Sequence, residues 1–466
     1  MNDIKFTKTN GGMGRKAANE DPISGLLMYL PELEVNDLAS TSNTSQFDTI
    51  ENADGTVGHN LYVAKLRYVE ELADYGFPSW KDVVLSMKTA DYEGADTAAK
   101  IGAFKKAAAV NALVYHVTQF FKQNEKGTLY LAVKVAASSN VLDADLKALQ
   151  NFANGEIRQC GVFTPSLTYT TGGNTHNLLA EYQDACTNST NGLEAEHKPM
   201  SVVVTVTGKT VTVAISQNST DLTVTPGVVT GLELTDFATS TPANTYIADG
   251  RCNVSVLIGC DLDNNTVNLL GHYAYYGCIG ACMGAISKAA VHECIAWVQK
   301  FKLGLGAPGL ISGELIKDVA TANQEKMNDN RYIFVRTHVG DADNYFNDSH
   351  TLDVATSDYA YIENVRTIDK ACRGIRANLL PYLNSPLKVD AETGKLDAPM
   401  VAFLETTAGK ALEDMEKAGE LSGYRAEIDP DQNVLATSQV EVIVKNVPMG
   451  VMRKVHVKIG FTTSLS

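Results

Sequence analysis

The sequence predicts an α/β, multidomain subunit: a mixed α/β core, a β-rich insertion and extended N- and C-terminal arms with the character of donated strands. Three observations predict it. Apolar strand and helix patterns alternate between residues 129 and 163, the order expected of α/β folds. Residues 201–250 turn rich in Val and Thr with hardly any charge. Both ends carry short segments of strand character, residues 4–9 and 453–461, and an unpaired strand edge recruits another chain.

In chain order, residues 4–9 (IKFTKT) lead into Gly11, Gly12 and Gly14, read as a hinge. Residues 21–30 (DPISGLLMYL) form an apolar segment ended by Pro31, and a Ser/Thr/Asn-rich loop follows over 36–58. Tyr62, Leu66, Val69 and Ala73 share one face at helical spacing, as do Val110, Leu113, Val114, Val117 and Phe121. Residues 129–135 predict a strand, 143–154 a helix closed by Gly155, and 157–163 a strand. SVVVTVTGKTVTVAIS (201–216) predicts two strands joined near Gly208, opening an insertion between core strands 200–204 and 253–258. A Gly-rich approach then precedes a helix over 286–301, a strand over 332–336, a long helix over 358–383 and a second over 401–417. Residues 438–445 and 453–461 close the chain as strands separated by Pro448 and Gly450. In the last, Val455, Val457, Ile459 and Phe461 alternate with Lys454, His456, Lys458 and Gly460.

With 466 residues, the chain has room for two to four domains, and 44% hydrophobic against 20% charged residues suffices for ordinary cores. A net charge of −15 argues against a general nucleic-acid binder, which neutralises phosphates with Lys and Arg. The N-terminus has no apolar leader and no run of eighteen apolar residues occurs, so folding in a cytoplasm and no membrane insertion are expected. The eight cysteines show no Cys-x-x-Cys pair and read as reduced, buried small hydrophobes.

No motif predicts catalysis, a cofactor or a metal. Gly208-Lys209-Thr210 lacks the first glycine of a phosphate-binding loop, because position 203 is Val, and a hairpin turn explains it. The 11–16 segment (GGMGRK) has no following helix to focus its amides. Asp261, Asp263 and Asn265 begin like a calcium loop, but Thr266 and His272 occupy the sixth and twelfth positions; the run from Asp341 and Asp343 fails the same test. Cys278, Cys282, His272, His292 and Cys294 lie near one another in sequence, yet Cys294 falls on an apolar stripe and no second His follows His292-Glu293 at protease spacing. One charge pattern stands out. Arg366, Lys370, Arg373 and Arg376 recur at spacings of three and four, forming either a solvated face or a docking face for an acidic partner.

The residues FTKTNGGMGRKAANEDPISGLL (6–27), GEIRQCGV (155–162), HKPMSVVV (197–204), ISKAAVHECIAWV (286–298), DYAYIENVRTIDKACRGI (358–375) and VPMGVMRKVHVKIGF (447–461) together resemble the tail sheath proteins of contractile phages, tailocins and contractile injection systems. The resemblance spans most of the chain outside the insertion. It implies a subunit that polymerises helically around an inner tail tube protein, engages baseplate and tail terminator proteins, and contracts without chemistry of its own. Its place would be a virion tail or injection particle assembled in a bacterial cytoplasm. Carried onto this sequence, the strand donors are Lys5, Phe6, Thr7, Lys8, Val455, Val457, Ile459 and Phe461, and the accepting strands hold Ala426, Ile428, Val440, Val442 and Val444. The hinges are Gly11, Gly12, Gly14, Pro448 and Gly450, and Arg366, Lys370, Arg373 and Arg376 become tube-facing candidates, with the 401–417 helix as the alternative. The implied domains are an arm (1–18), an inner domain (19–35 with 356–450), a middle domain (36–202 with 251–355), an outer insertion (203–250) and a second arm (451–466). The alternatives are a non-contractile tube or shell subunit assembled by strand addition and, in another class, a cytosolic α/β enzyme.

Overall fold

Residues 23–29 (ISGLLMY) have no polar face, and a strand that must bury both faces belongs in the middle of a parallel sheet. The computed structural model of the protein places it there. The structure describes residues 21–38, 42–51, 57–79, 97–135, 140–215, 224–239, 251–263 and 274–462. Ile23–Tyr29 pairs in parallel with Thr128–Lys134 on one side and Gln159–Thr164 on the other. The sheet runs Tyr332–Ile333, Val254–Leu257, Ser201–Ile215, Gln159–Thr164, Ile23–Tyr29, Thr128–Lys134, Val57–Leu66, Asp48–Glu51, with Val224–Gly231 and Ala274–Tyr276 also on Ser201–Ile215.

Alternate residues of the central strand feed two cores. Leu26 and Met28 pack with Leu113, Val117, Met283 and Ile286 from the Thr97–Gln123 and Ile279–Lys288 helices. Leu27 and Tyr29 face the other way, into a core with Leu146 and Leu149 of Asp143–Phe152 and Leu179 and Tyr182 of Leu178–Thr187. The α/β expectation therefore describes the main body, with helices on both faces of a largely parallel sheet.

Five expectations are corrected. The 23–29 strand of segment 19–35, expected with the C-terminal helices, lies at the centre of the main sheet. Residues 62–66 are strand: Val57–Leu66 runs antiparallel to Thr128–Lys134, with Tyr62 opposite Val133. Tyr62 and Leu66 satisfy a period of two as well as a helical one, since Ala64 lies between them on the same buried row. No turn interrupts Ser201–Ile215; Gly208 is mid-strand, where an added Cβ would run into the Ile311 carbonyl. The outer boundary at 203 therefore falls inside one continuous strand. The helix expected over 286–301 ends at Lys288, and its glycines precede that end: a Cβ on Gly280 or Gly284 would meet the carbonyls of His116 or Phe120 in the neighbouring helix.

The C-terminal unit is smaller. Ile362–Leu379 packs on Ala398–Lys417, which supports a hairpin of Leu421–Glu427 and Ile443–Pro448. Ala371, Leu412, Met415 and Leu421 form its core, with Tyr424 and Val444 against them. A lone hairpin is marginal in water, so this helix packing is what holds it.

Candidate functional site at the root of the C-terminal extension

The turn before the Ile362–Leu379 helix is tied back on itself. Ile362 N–H donates to the Ser349 carbonyl at 2.9 Å and Thr351 N–H to the Ala360 carbonyl at 3.1 Å. This bridge brings Asp348 and Glu363 side by side, both nearly buried. Ser349 Oγ donates to Glu363, and the Cys294 thiol lies 3.5 Å from Asp348 Oδ1. Two buried carboxylates need a cation. Arg453 supplies it: its Nε lies 3.0 Å from both Asp348 oxygens, its Nη2 pairs with Glu363, and its guanidinium stacks 3.5 Å from the centroid of the Tyr361 ring. Arg331 stands 5.0 Å from the centroid of the same ring, so two guanidiniums approach Tyr361.

The electrostatics follow from burial. Desolvation raises the Glu363 carboxyl, with Arg453 and the Ser349 hydroxyl pulling the other way. Burial also works against the Arg453 charge, but Glu363 and Asp348 more than offset it and hold that guanidinium above its ordinary range.

Beyond Arg453 the chain leaves the body. Residues 453–461, expected as a half-buried strand, carry no ladder among the described residues. Val455, Val457, Ile459 and Phe461 are 65%, 78%, 96% and 110% exposed, a row of apolar side chains increasingly open to solvent. Of the accepting residues, Ala426 and Val444 stand opposite each other in the hairpin. Ile428 lies just past it, and Val440 and Val442 precede the second strand, packing against the small cluster of Leu396, Leu404 and Ile428. Pro448 ends the hairpin opposite Leu421, while Gly450 follows in extended chain. Lys5, Phe6, Thr7, Lys8, Gly11, Gly12 and Gly14 lie outside the described residues.

The basic stripe is not a free charged face. Arg366 is buried and its Nη1 and Nη2 donate to the Ala290 and Ala289 carbonyls at 3.4 and 3.1 Å, the end of the Ile279–Lys288 helix where a cation complements the dipole. Burial brings that guanidinium down to about 10. Lys370 bridges Asp21 (2.7 Å) and Glu420 (2.6 Å), and Arg373 reaches Asp21 at 3.3 Å. These residues tie the C-terminal unit to the central strand. Periodicity marked them as a stripe but carried no sign of the buried partners. Arg376 is the exposed member, at a cavity of about 270 Å³ lined also by Glu194, His197, Arg251 and Asp369. Sequence reasoning missed Asp348, Tyr361, Glu363 and Arg453.

The weighed metal and phosphate motifs have structural roles. Lys209 pairs with Glu233 and Glu314 at 3.0 and 3.6 Å. Asp261 accepts from the Tyr115 hydroxyl and the Ala307 amide, both at 2.9 Å. Cys278, Cys282 and Cys294 are buried. Among the described residues, no cluster of His, Cys, Asp and Glu is arranged to hold a metal ion, and no helix is long and apolar enough to cross a membrane.

Comparison with solved structures gives a chain of the anti-feeding prophage (AFP) baseplate, six-fold symmetrised, at TM-score 0.50 and 13% identity, covering 99% of each chain. That likeness is one of fold. A chain of an extracellular contractile injection system, the PVC sheath complex in the contracted state, has TM-score 0.49 and 11% identity over 100% of this chain and 98% of that one. A chain of the AFP baseplate in the contracted state has 0.46 and 11%, over 100% of each. No curated protein matches the sequence. Family models described as "DUF2586, N-terminal domain" and "DUF2586, C-terminal domain" match residues 1–350 and 358–466, and the chain belongs to the DUF2586 family.

Proposed function

We propose that the chain is the structural subunit of a contractile tail sheath. It polymerises helically around an inner tube protein, meets baseplate and terminator proteins at the ends, and contracts to drive the tube through a target envelope. It does so in a virion tail or injection particle assembled in the bacterial cytoplasm. The observation that carries this reading is the exposed apolar row Val455, Val457, Ile459 and Phe461 beyond an anchored root. Such a segment lacks only a sheet edge, and strand addition supplies backbone hydrogen bonds for affinity and alternating side chains for register. The fold shared with a baseplate chain is in keeping with it.

In this reading the Leu421–Glu427 and Ile443–Pro448 hairpin is the acceptor, and residues 5–9 donate to another neighbour. Head-to-tail contacts that do not close give a helical filament. Contraction is a rigid-body rearrangement of bodies whose arms stay paired, so its free energy is set at assembly rather than by a reaction. Removing residues 454–466 tests this while leaving Arg453 in place. The expected product is a folded monomer that makes no tubes; normal tubes from the truncated chain overturn the proposal. Negative-stain images of the intact assembly should show two tube states of different length and diameter, and one invariant state would favour a non-contractile tube.

A further inference from the structure

The anchored root and the free row share one parity. Arg453, Val455, Val457, Ile459 and Phe461 are all odd-numbered, and in an extended strand successive side chains point to opposite faces. The side chain of Arg453 is committed to its own body by Asp348, Glu363 and the Tyr361 ring. We propose that Arg453 is a register pin: by fixing its own side chain inward, it dictates that the apolar row faces the body side when residues 454–461 become a strand on a neighbouring copy, with Lys454, His456 and Lys458 outward. This rests on the strand-addition reading above and adds to it a residue that sets which face of the strand is presented.

The physical case is that, among the described residues, no ladder sets the face of 454–461. Their apolar side chains stand exposed, and Met452, at 81% exposure, does not pack. Pairing by backbone hydrogen bonds tolerates a slip, but a slip of one residue turns every apolar side chain to solvent. A clamp of two carboxylates and a ring immediately before the row removes that freedom. Its planar fork and stacked face suit Arg and not Lys.

The test uses the full chain with serine insertions between the clamped Arg453 and the exposed Lys454. One inserted residue reverses the parity of the row; two restore it at slightly greater reach. Self-association is read by light scattering and electron microscopy, and monomer folding by thermal melting. The single insertion is expected to weaken assembly by at least about tenfold and the double insertion to return it to within about threefold, as a period of two requires. In an Arg453→Gln background the two insertions should converge, because the extension has lost its fixed face. Equal behaviour of the two insertions in the native background overturns the pin. Assembly that survives removal of 454–466 instead overturns the strand-addition reading, so the two failures are distinguishable.

Discussion

The guanidinium of Arg453 lies 3.5 Å from the centroid of the Tyr361 ring, face on, while its nitrogens engage Asp348 and Glu363. One residue thus neutralises two buried carboxylates and covers an aromatic face across about ninety positions of sequence. Removing it leaves both carboxylates without a cation, and breaking a buried pair from one side costs about 3–5 kcal/mol. Arg453→Gln should lower unfolding stability by that order, whereas Arg453→Lys, which keeps charge but loses the fork and the stack, should lose less. Urea midpoints check this; an Arg453→Gln variant of native stability would show the clamp to be dispensable.

The contact between the Thr97–Gln123 and Ile279–Lys288 helices depends on two missing side chains. At Gly280 a Cβ would run into the His116 carbonyl, and at Gly284 it would lie 2.5 Å from the Phe120 carbonyl. Backbone at those points cannot rotate away, so the helices must separate. Gly280→Ala and Gly284→Ala should each destabilise by about 1–3 kcal/mol, the ordinary scale of overpacking, despite better helix propensity. A rise in melting temperature for either would mean that the interface has slack.

Much of the fold was legible because burial on two faces leaves a plain mark. The apolar run 23–29, the helix 143–152 and the helix 398–417 stand close to where pattern placed them. What misled was local information with two meanings. Gly208 between Val/Thr runs reads as a turn, yet the glycine is needed because the Ile311 carbonyl crowds that strand, and nothing near position 208 announces it. The 366–376 stripe reads as a face, but its charges are consumed by Asp21, Glu420 and two helix-end carbonyls, all distant in sequence. The exposed row 455–461 was legible in alternation alone. Its anchor was not, because Asp348 and Glu363 meet Arg453 only once the chain is folded.

Asp369 sits buried at the cavity beside Arg376, and burial pushes its carboxyl up to about 6 against the attraction of Arg373, Arg251 and Arg158. A raised folded value means that the fold prefers the protonated form. The corresponding stability is complete below the unfolded value near 4 and is lost as pH rises through about 6. Asp369→Asn removes that dependence, so at pH 7 the variant should be more stable, by up to about 3 kcal/mol, and the gap should close between pH 6 and 4. Urea midpoints across that range decide it, and a variant less stable than the parent at pH 7 would show that the arginines need the charge.

His350 gives the opposite slope. Burial, with Arg331 and Arg453 nearby, brings its imidazole down to about 4 against the pull of Asp348, and its Nε2 lies 3.0 Å from Asn328 Oδ1. A depressed folded value means that the neutral ring is the one the fold accepts. Its contribution is present above the unfolded value near 6.5 and is lost as pH falls toward about 4, where the unfolded chain takes up the proton first. His350→Gln keeps a donor for Asn328 and has no proton to gain. Between pH 7 and 4.5 the parent should therefore lose up to about 3 kcal/mol more than the variant. Paired melting curves at the two pH values test this, and parallel losses would place the acid sensitivity elsewhere, with the buried His116, brought down to about 3 by burial, as the next group to replace.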